Sequence, residues 1–195
     1  ILFFAFGGIS GSEKSYINSP AIIAQVLAIM SIFSILIAAA VMGVPVYRDE
    51  EHKVKHYYFT YPVSERDYLL GRYFGSMVIL FLITVGFHLG VVLGVLIGPE
   101  MGFEEPERYT TINFWHHLQP SLTIYWPNLV FAGTIFFSLV ALTRKVFISY
   151  VGSILLLIGY LLASNLASDL DNQKMVALLD PFGLTAVGEI VKYWT

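Results

Sequence analysis

Four stretches of this chain, residues 21–47, 73–99, 121–143 and 146–168, contain no Asp, Glu, Lys or Arg. Each is longer than the ~20 residues an α-helix needs to cross ~30 Å of hydrocarbon. A helix on the core of a soluble protein shows a polar face every 3.6 residues, and these stretches show none. Spanning strands would read as ~10-residue segments of alternating hydrophobicity, and none is visible. The expected fold is all-α: a polytopic helical membrane protein with complete spans at 22–46, 72–98, 121–143 and 146–167. Composition agrees, with 56% apolar and 13% charged residues where soluble domains carry ~45–50% and ~25%. A net charge of −3 gives no basis for nucleic-acid binding. With no cysteine there is neither a disulfide framework nor a thiolate metal site.

The chain opens on "ILFFAFGGI", too short an apolar run to span and without the flanks of a signal peptide. Residues 1–9 are read as the end of a truncated first span. Five spans place the connectors on two sides. One side, residues 45–72 and the turn at 144–145, carries Arg48, Lys53, Lys55, Arg66, Arg72, Arg144 and Lys145. The other, with about twice the length, carries only Lys14, Arg108, Lys174 and Lys192. The positive-inside rule makes the first side cytoplasmic. Residues 99–120 are then an outer loop and 168–195 an outer tail. Trp115, Tyr125 and Trp126 sit where an interfacial aromatic belt belongs, and Pro127 in the first turns of its span. In the tail, 175–179 reads as one helical turn, "DPFG" as a turn, and 184–194 as a surface helix.

Few residue constellations suggest chemistry. Gly86, Gly90, Gly94 and Gly98 recur every fourth residue, continuing a face begun by Gly71 and Gly75. Such a stripe lets a helix of this chain or of a second subunit approach closely. His52 and His56 have metal-ligand spacing, but Glu51 precedes them, so the zinc-protease pattern H-E-x-x-H is broken; a solvated face is the simpler reading. His116 and His117 are adjacent and cannot face one ion from a regular helix. His88 lies mid-span, where an ionisable residue is a functional candidate; the simpler reading is a neutral imidazole bonding a neighbouring helix. No cofactor, metal or catalytic constellation is expected. There is no G-x-x-x-x-G-K, so no phosphate loop for ATP.

Against this background one connector stands out. Ten of the 25 charged residues lie between positions 45 and 72. Asp49–Lys53 and Glu51–Lys55 are i,i+4 pairs in the favourable direction, which predicts an amphipathic, interfacial helix over about 46–59. Pro62 breaks it. Ser64, with Asp67 three residues on, then caps a helix running into the next span.

The stretch "VYRDEEHKVKHYYFTYPVSERDYLLGRYFGS" resembles the signature of ABC-2-type permeases, the membrane subunits of one class of ABC transporters. The resemblance rests on Arg48, Asp49, Glu50 and Glu51, on Pro62, Val63 and Ser64, and on Tyr68, Leu69, Gly71 and Arg72. It implies that residues 47–71 form the coupling segment that docks on an ATPase subunit, with Arg48, Asp49, Glu50, Glu51, Pro62, Val63 and Ser64 as the coupling residues. It also implies a second permease copy, a six-span domain of which this chain lacks the start of the first span and the whole sixth, and export across a bacterial inner membrane. "WPNLVFAGTIFFSLVALTR" and "LLDPFGLTAVGEIVKYWT" are similar to a bacterial subgroup whose permease is fused to, or encoded alongside, an M1-type aminopeptidase. The competing expectation is a membrane anchor of a peptidase without transport, or an intramembrane enzyme, for which only His88 is at hand.

Overall fold

The computed structural model describes residues 16–58, 60–102, 106–166, 180, 182–184 and 187–188. The expected span end at 1–9 and most of the outer tail, including its expected turn at 175–179, lie outside these; of the helix expected over 184–194, residues 184, 187 and 188 are described and helical. Among the described residues every regular element is helical.

Helix α1 (Pro20–Val41) starts with proline, whose missing N–H costs nothing in a first turn. The Ser19 hydroxyl accepts from Ile22 N–H at 3.4 Å. Helix α2 (Val44–Glu51) follows after a break at Gly43, and a single turn α3 (Lys55–Tyr58) follows that. Helix α4 (Glu65–Ile97) has 33 residues, about 50 Å at 1.5 Å per residue. After a 3₁₀ turn (Pro106–Arg108), α5 (Phe114–Pro120) continues through a π-helical turn (Ser121–Tyr125) into α6 (Trp126–Thr143). Helix α7 (Phe147–Leu166) closes the series.

Three helical runs are long and apolar enough to cross a membrane: Pro20–Glu51, Glu65–Ile97 and Phe114–Thr143. Of the fourth expected span, an apolar helix over Phe147–Leu162 is described, shorter than the other three. The third run begins earlier than its sequence suggests. Asn113 accepts from Trp115 N–H at 3.0 Å and caps the helix there, so residues expected in the outer loop are helical.

The chain divides into two compact units, to which α1, α4 and the last two long helices each contribute. One contains 33–84 and 129–159. Its buried residues include Ile35, Ala38, Ala39, Met42, Leu80, Phe136 and Val140. Small residues allow its helices to approach closely. A Cβ on Gly43 would run into the Val140 side chain. One on Gly133 would meet Met77 at 3.3 Å, and one on Gly152 would meet Leu139 at 3.3 Å. The Ser149 hydroxyl reaches the Ala39 carbonyl at 2.8 Å. The other unit contains the described residues of 1–32, 85–128 and 160–195. There Ile22 and Val26 pack with Val91, and Ile23 and Leu27 with Tyr125. The expected "DPFG" turn is present: the Asp180 carboxylate accepts from Phe182 N–H at 2.8 Å, and Gly183 takes φ +74°.

Candidate coupling site

The charged connector is not one helix over 46–59. Helix α2 stops at Glu51, and Lys53 takes φ 55°. Val54 N–H reaches back to the Asp49 carbonyl at 3.0 Å and Lys53 N–H to the Glu50 carbonyl at 3.1 Å. These bonds form a Schellman motif with Lys53 where glycine is usual. The break decides which charges meet. Lys53 is past the helix end, and Asp49 pairs elsewhere.

Asp49 is 8% exposed. Its Oδ2 accepts from the Arg72 guanidinium at 2.6 Å and from the Tyr68 hydroxyl at 2.8 Å. The same Arg72 nitrogen donates to Tyr58 Oη at 3.0 Å. The guanidinium carbon lies 5.4 Å from the Tyr58 ring centre and 5.8 Å from that of Tyr68, within cation–π range. Glu50, next in sequence, accepts from Arg144 at 2.8 Å. Arg144 follows α6 with φ 56°, its N–H bonded to the Val140 carbonyl at 2.7 Å. That left-handed turn joins α6 to α7.

The remaining coupling candidates are distributed differently. Arg48 and Glu51 are exposed, and Glu51 accepts from the Tyr47 hydroxyl at 3.1 Å. Pro62, Val63 and Ser64 are exposed, with Tyr57 and Tyr61 each at 72%. Ser64 caps α4: its hydroxyl accepts from Asp67 N–H at 3.2 Å and donates to the Asp67 carboxylate at 2.6 Å. Glu65 and Asp67 in the first turn complement the helix dipole.

Sequence reasoning left Arg72, Tyr58, Tyr68 and Arg144 out of the site. Local spacing rules see three- and four-residue neighbours, whereas these contacts join residues from separate helices. Tyr68 and Arg72 are visible in the signature stretch, and Arg72 and Arg144 in the basic excess on this side of the chain.

The other residues singled out from the sequence lie as follows. Gly86 and Gly90 are exposed, and a Cβ on either meets nothing within 4 Å. Leu82, Leu89 and Leu93 on the same helix are more than half exposed. Gly94 is half-buried and Gly98 buried. His52 is exposed at the end of α2 and His117 is buried. Among the described residues no group of three or more His, Asp or Glu is placed to hold a metal ion. His88 bonds a neighbouring helical segment: its Nε2 lies 2.6 Å from Ser121 Oγ. The Ser121 hydroxyl donates to the His117 carbonyl at 2.6 Å, so the imidazole is the donor to Ser121. The His88 ring also stands edge-on to Tyr125, with centroids 5.0 Å apart.

A family model described as "ABC-2 family transporter protein" matches residues 9–179. No curated protein and no solved structure matches the chain significantly. The match covers most of the sequence and includes the whole charged connector with all of the helices described above. The chain belongs to the ABC-2 family of transporter proteins, as an integral membrane subunit.

Proposed function

We propose that this protein is the permease subunit of an ATP-driven exporter, worked by a separate ABC ATPase that docks on residues 47–72. The observation that carries this reading is the connector's construction. Its acidic residues Asp49 and Glu50 are tied to the start of α4 and to the α6–α7 turn through Arg72 and Arg144. Arg48, Glu51, Tyr57, Tyr61 and Val63 stay exposed. A segment held firmly from behind, with aromatic and charged groups in front, suits a surface that must receive a push. The sequence contains no Gly-Lys pair, so ATP binding through a phosphate loop is assigned to a partner.

In this reading the basic connectors face the cytoplasm of a bacterial cell, and α7 supplies the fourth complete span. Its 20 residues give about 30 Å of helix, the thickness of the hydrocarbon core. The glycine-bearing face of α4 is the candidate surface for a second permease copy. An intramembrane enzyme would need ionisable groups converging within the bilayer, and His88 instead bonds a serine. A peptidase anchor needs no ATPase at all.

The test is to purify the full-length protein from its host membrane and assay its associated ATPase. An ATPase subunit should co-purify and be stimulated by the permease. Glu50→Lys with Glu51→Lys should abolish that stimulation while membrane insertion persists. Undiminished stimulation in the double variant would sink the coupling role, and absence of any ATPase would favour the anchor.

A further inference from the structure

Residues 48–51 are four consecutive charges, yet they face different surroundings. Arg48 and Glu51 are exposed. Asp49, between them, is 8% exposed, and one of its oxygens is already held by a guanidinium at 2.6 Å and a phenol at 2.8 Å. A carboxylate in that position has little room for a cation from another protein. Withdrawing it would leave the Arg72 charge partly desolvated without its counter-charge, which is strongly unfavourable.

Arg72 is restrained from several sides. It is ion-paired to Asp49, hydrogen-bonded to Tyr58 and set against the rings of Tyr58 and Tyr68. A planar guanidinium fixed in this way holds direction as well as distance, which an ammonium on a flexible stem does not. Asp49 belongs to α2, and both Tyr68 and Arg72 to the opening turns of α4. The group therefore joins the exposed docking helix to a single helix of 33 residues.

Resting on the coupling reading above, we propose that Asp49 and Arg72 are a transmission clamp: a positioning pair that passes displacement of α2 into α4 and does not itself meet the ATPase. Docking falls to the exposed residues around it. Glu50–Arg144 is a second and weaker tie, since its side chains are 35% and 57% exposed.

The experiment uses the full-length protein with its co-purifying ATPase in liposomes. Glu107→Cys in the outer loop serves as a reporter, labelled by an impermeant maleimide before and after trapping with ATP and vanadate. In the otherwise unmodified protein, trapping should change the labelling rate. If no ATPase co-purifies, or trapping changes nothing, the coupling reading itself fails and the clamp falls with it. Where that arm succeeds, Asp49→Asn and Arg72→Gln should retain the full yield of bound ATPase. They should reduce the trapping-induced change at least ~fivefold, the lower end of typical coupling between sites. Arg72→Lys, which keeps the charge and loses the fork, should fall between, and exchanging the pair as Asp49→Arg with Arg72→Asp should restore part of the change. Loss of bound ATPase in Asp49→Asn would overturn the proposal and make Asp49 a docking charge. An undiminished labelling change in both Asp49→Asn and Arg72→Gln would overturn it as well.

Discussion

Helical regularity fails at Lys53 and again at residues 121–125, and the two failures are repaired with different materials. At Lys53 the chain turns left-handed, backbone N–H groups close the end of α2, and the side chains are left free to reach other helices. At 121–125 the helix widens into a π turn within a run apolar enough to cross a membrane. Pro127 has no N–H to give the turn before it. The Ser121 hydroxyl donates back to the His117 carbonyl at 2.6 Å and that of Thr123 to the Gln119 carbonyl at 2.9 Å. Where water is at hand, backbone polar groups have an outside partner. In hydrocarbon they must find one within the protein. Charged side chains gather at the first break, and hydroxyls serve the second.

The contrast can be broken by substitution, with unfolding in detergent followed by circular dichroism. Asp49→Asn should have the largest effect, about 2–3 kcal/mol, because it leaves a partly buried guanidinium without its counter-charge. Ser121→Ala should cost about 1–2 kcal/mol, since it removes one hydroxyl from two hydrogen bonds among helices where such bonds are individually modest. Glu50→Gln should cost no more than ~1 kcal/mol, as its ion pair with Arg144 is well exposed. If Glu50→Gln matched Asp49→Asn, burial would not be what separates the two carboxylates. If Ser121→Ala were silent, the π turn would not depend on its hydroxyl.

What the sequence made legible was local. Charge-free runs announce spanning helices, Pro62 announces a break, Ser64 and Asp67 announce a cap, and "DPFG" announces a turn; each works through neighbours a few residues apart. The start of the third run was missed because the charge-free stretch begins at 121, although Asn113 ahead of Phe114 and Trp115 was a capping signal. The i,i+4 pairs taken alone predict one helix across the connector. Nothing local indicated that Asp49 would prefer Arg72 to Lys53. That preference is set by tertiary packing, which buries Asp49 beside Tyr68 and supplies a better partner than a solvated lysine. The glycine stripe was legible as a pattern, while its surroundings were not: Gly86 and Gly90 have nothing close by, and close packing occurs instead at Gly43, Gly133 and Gly152.

Arg144 holds a backbone conformation that costs an L-residue about 1–2 kcal/mol and that glycine adopts freely. Glycine there would ease the turn and remove the guanidinium that reaches Glu50. Thermal robustness and mechanical connection thus compete for one position. A search for hardier variants of this protein, scored on melting alone, would favour glycine at 144 and discard a tie between the α6–α7 hairpin and helix α2.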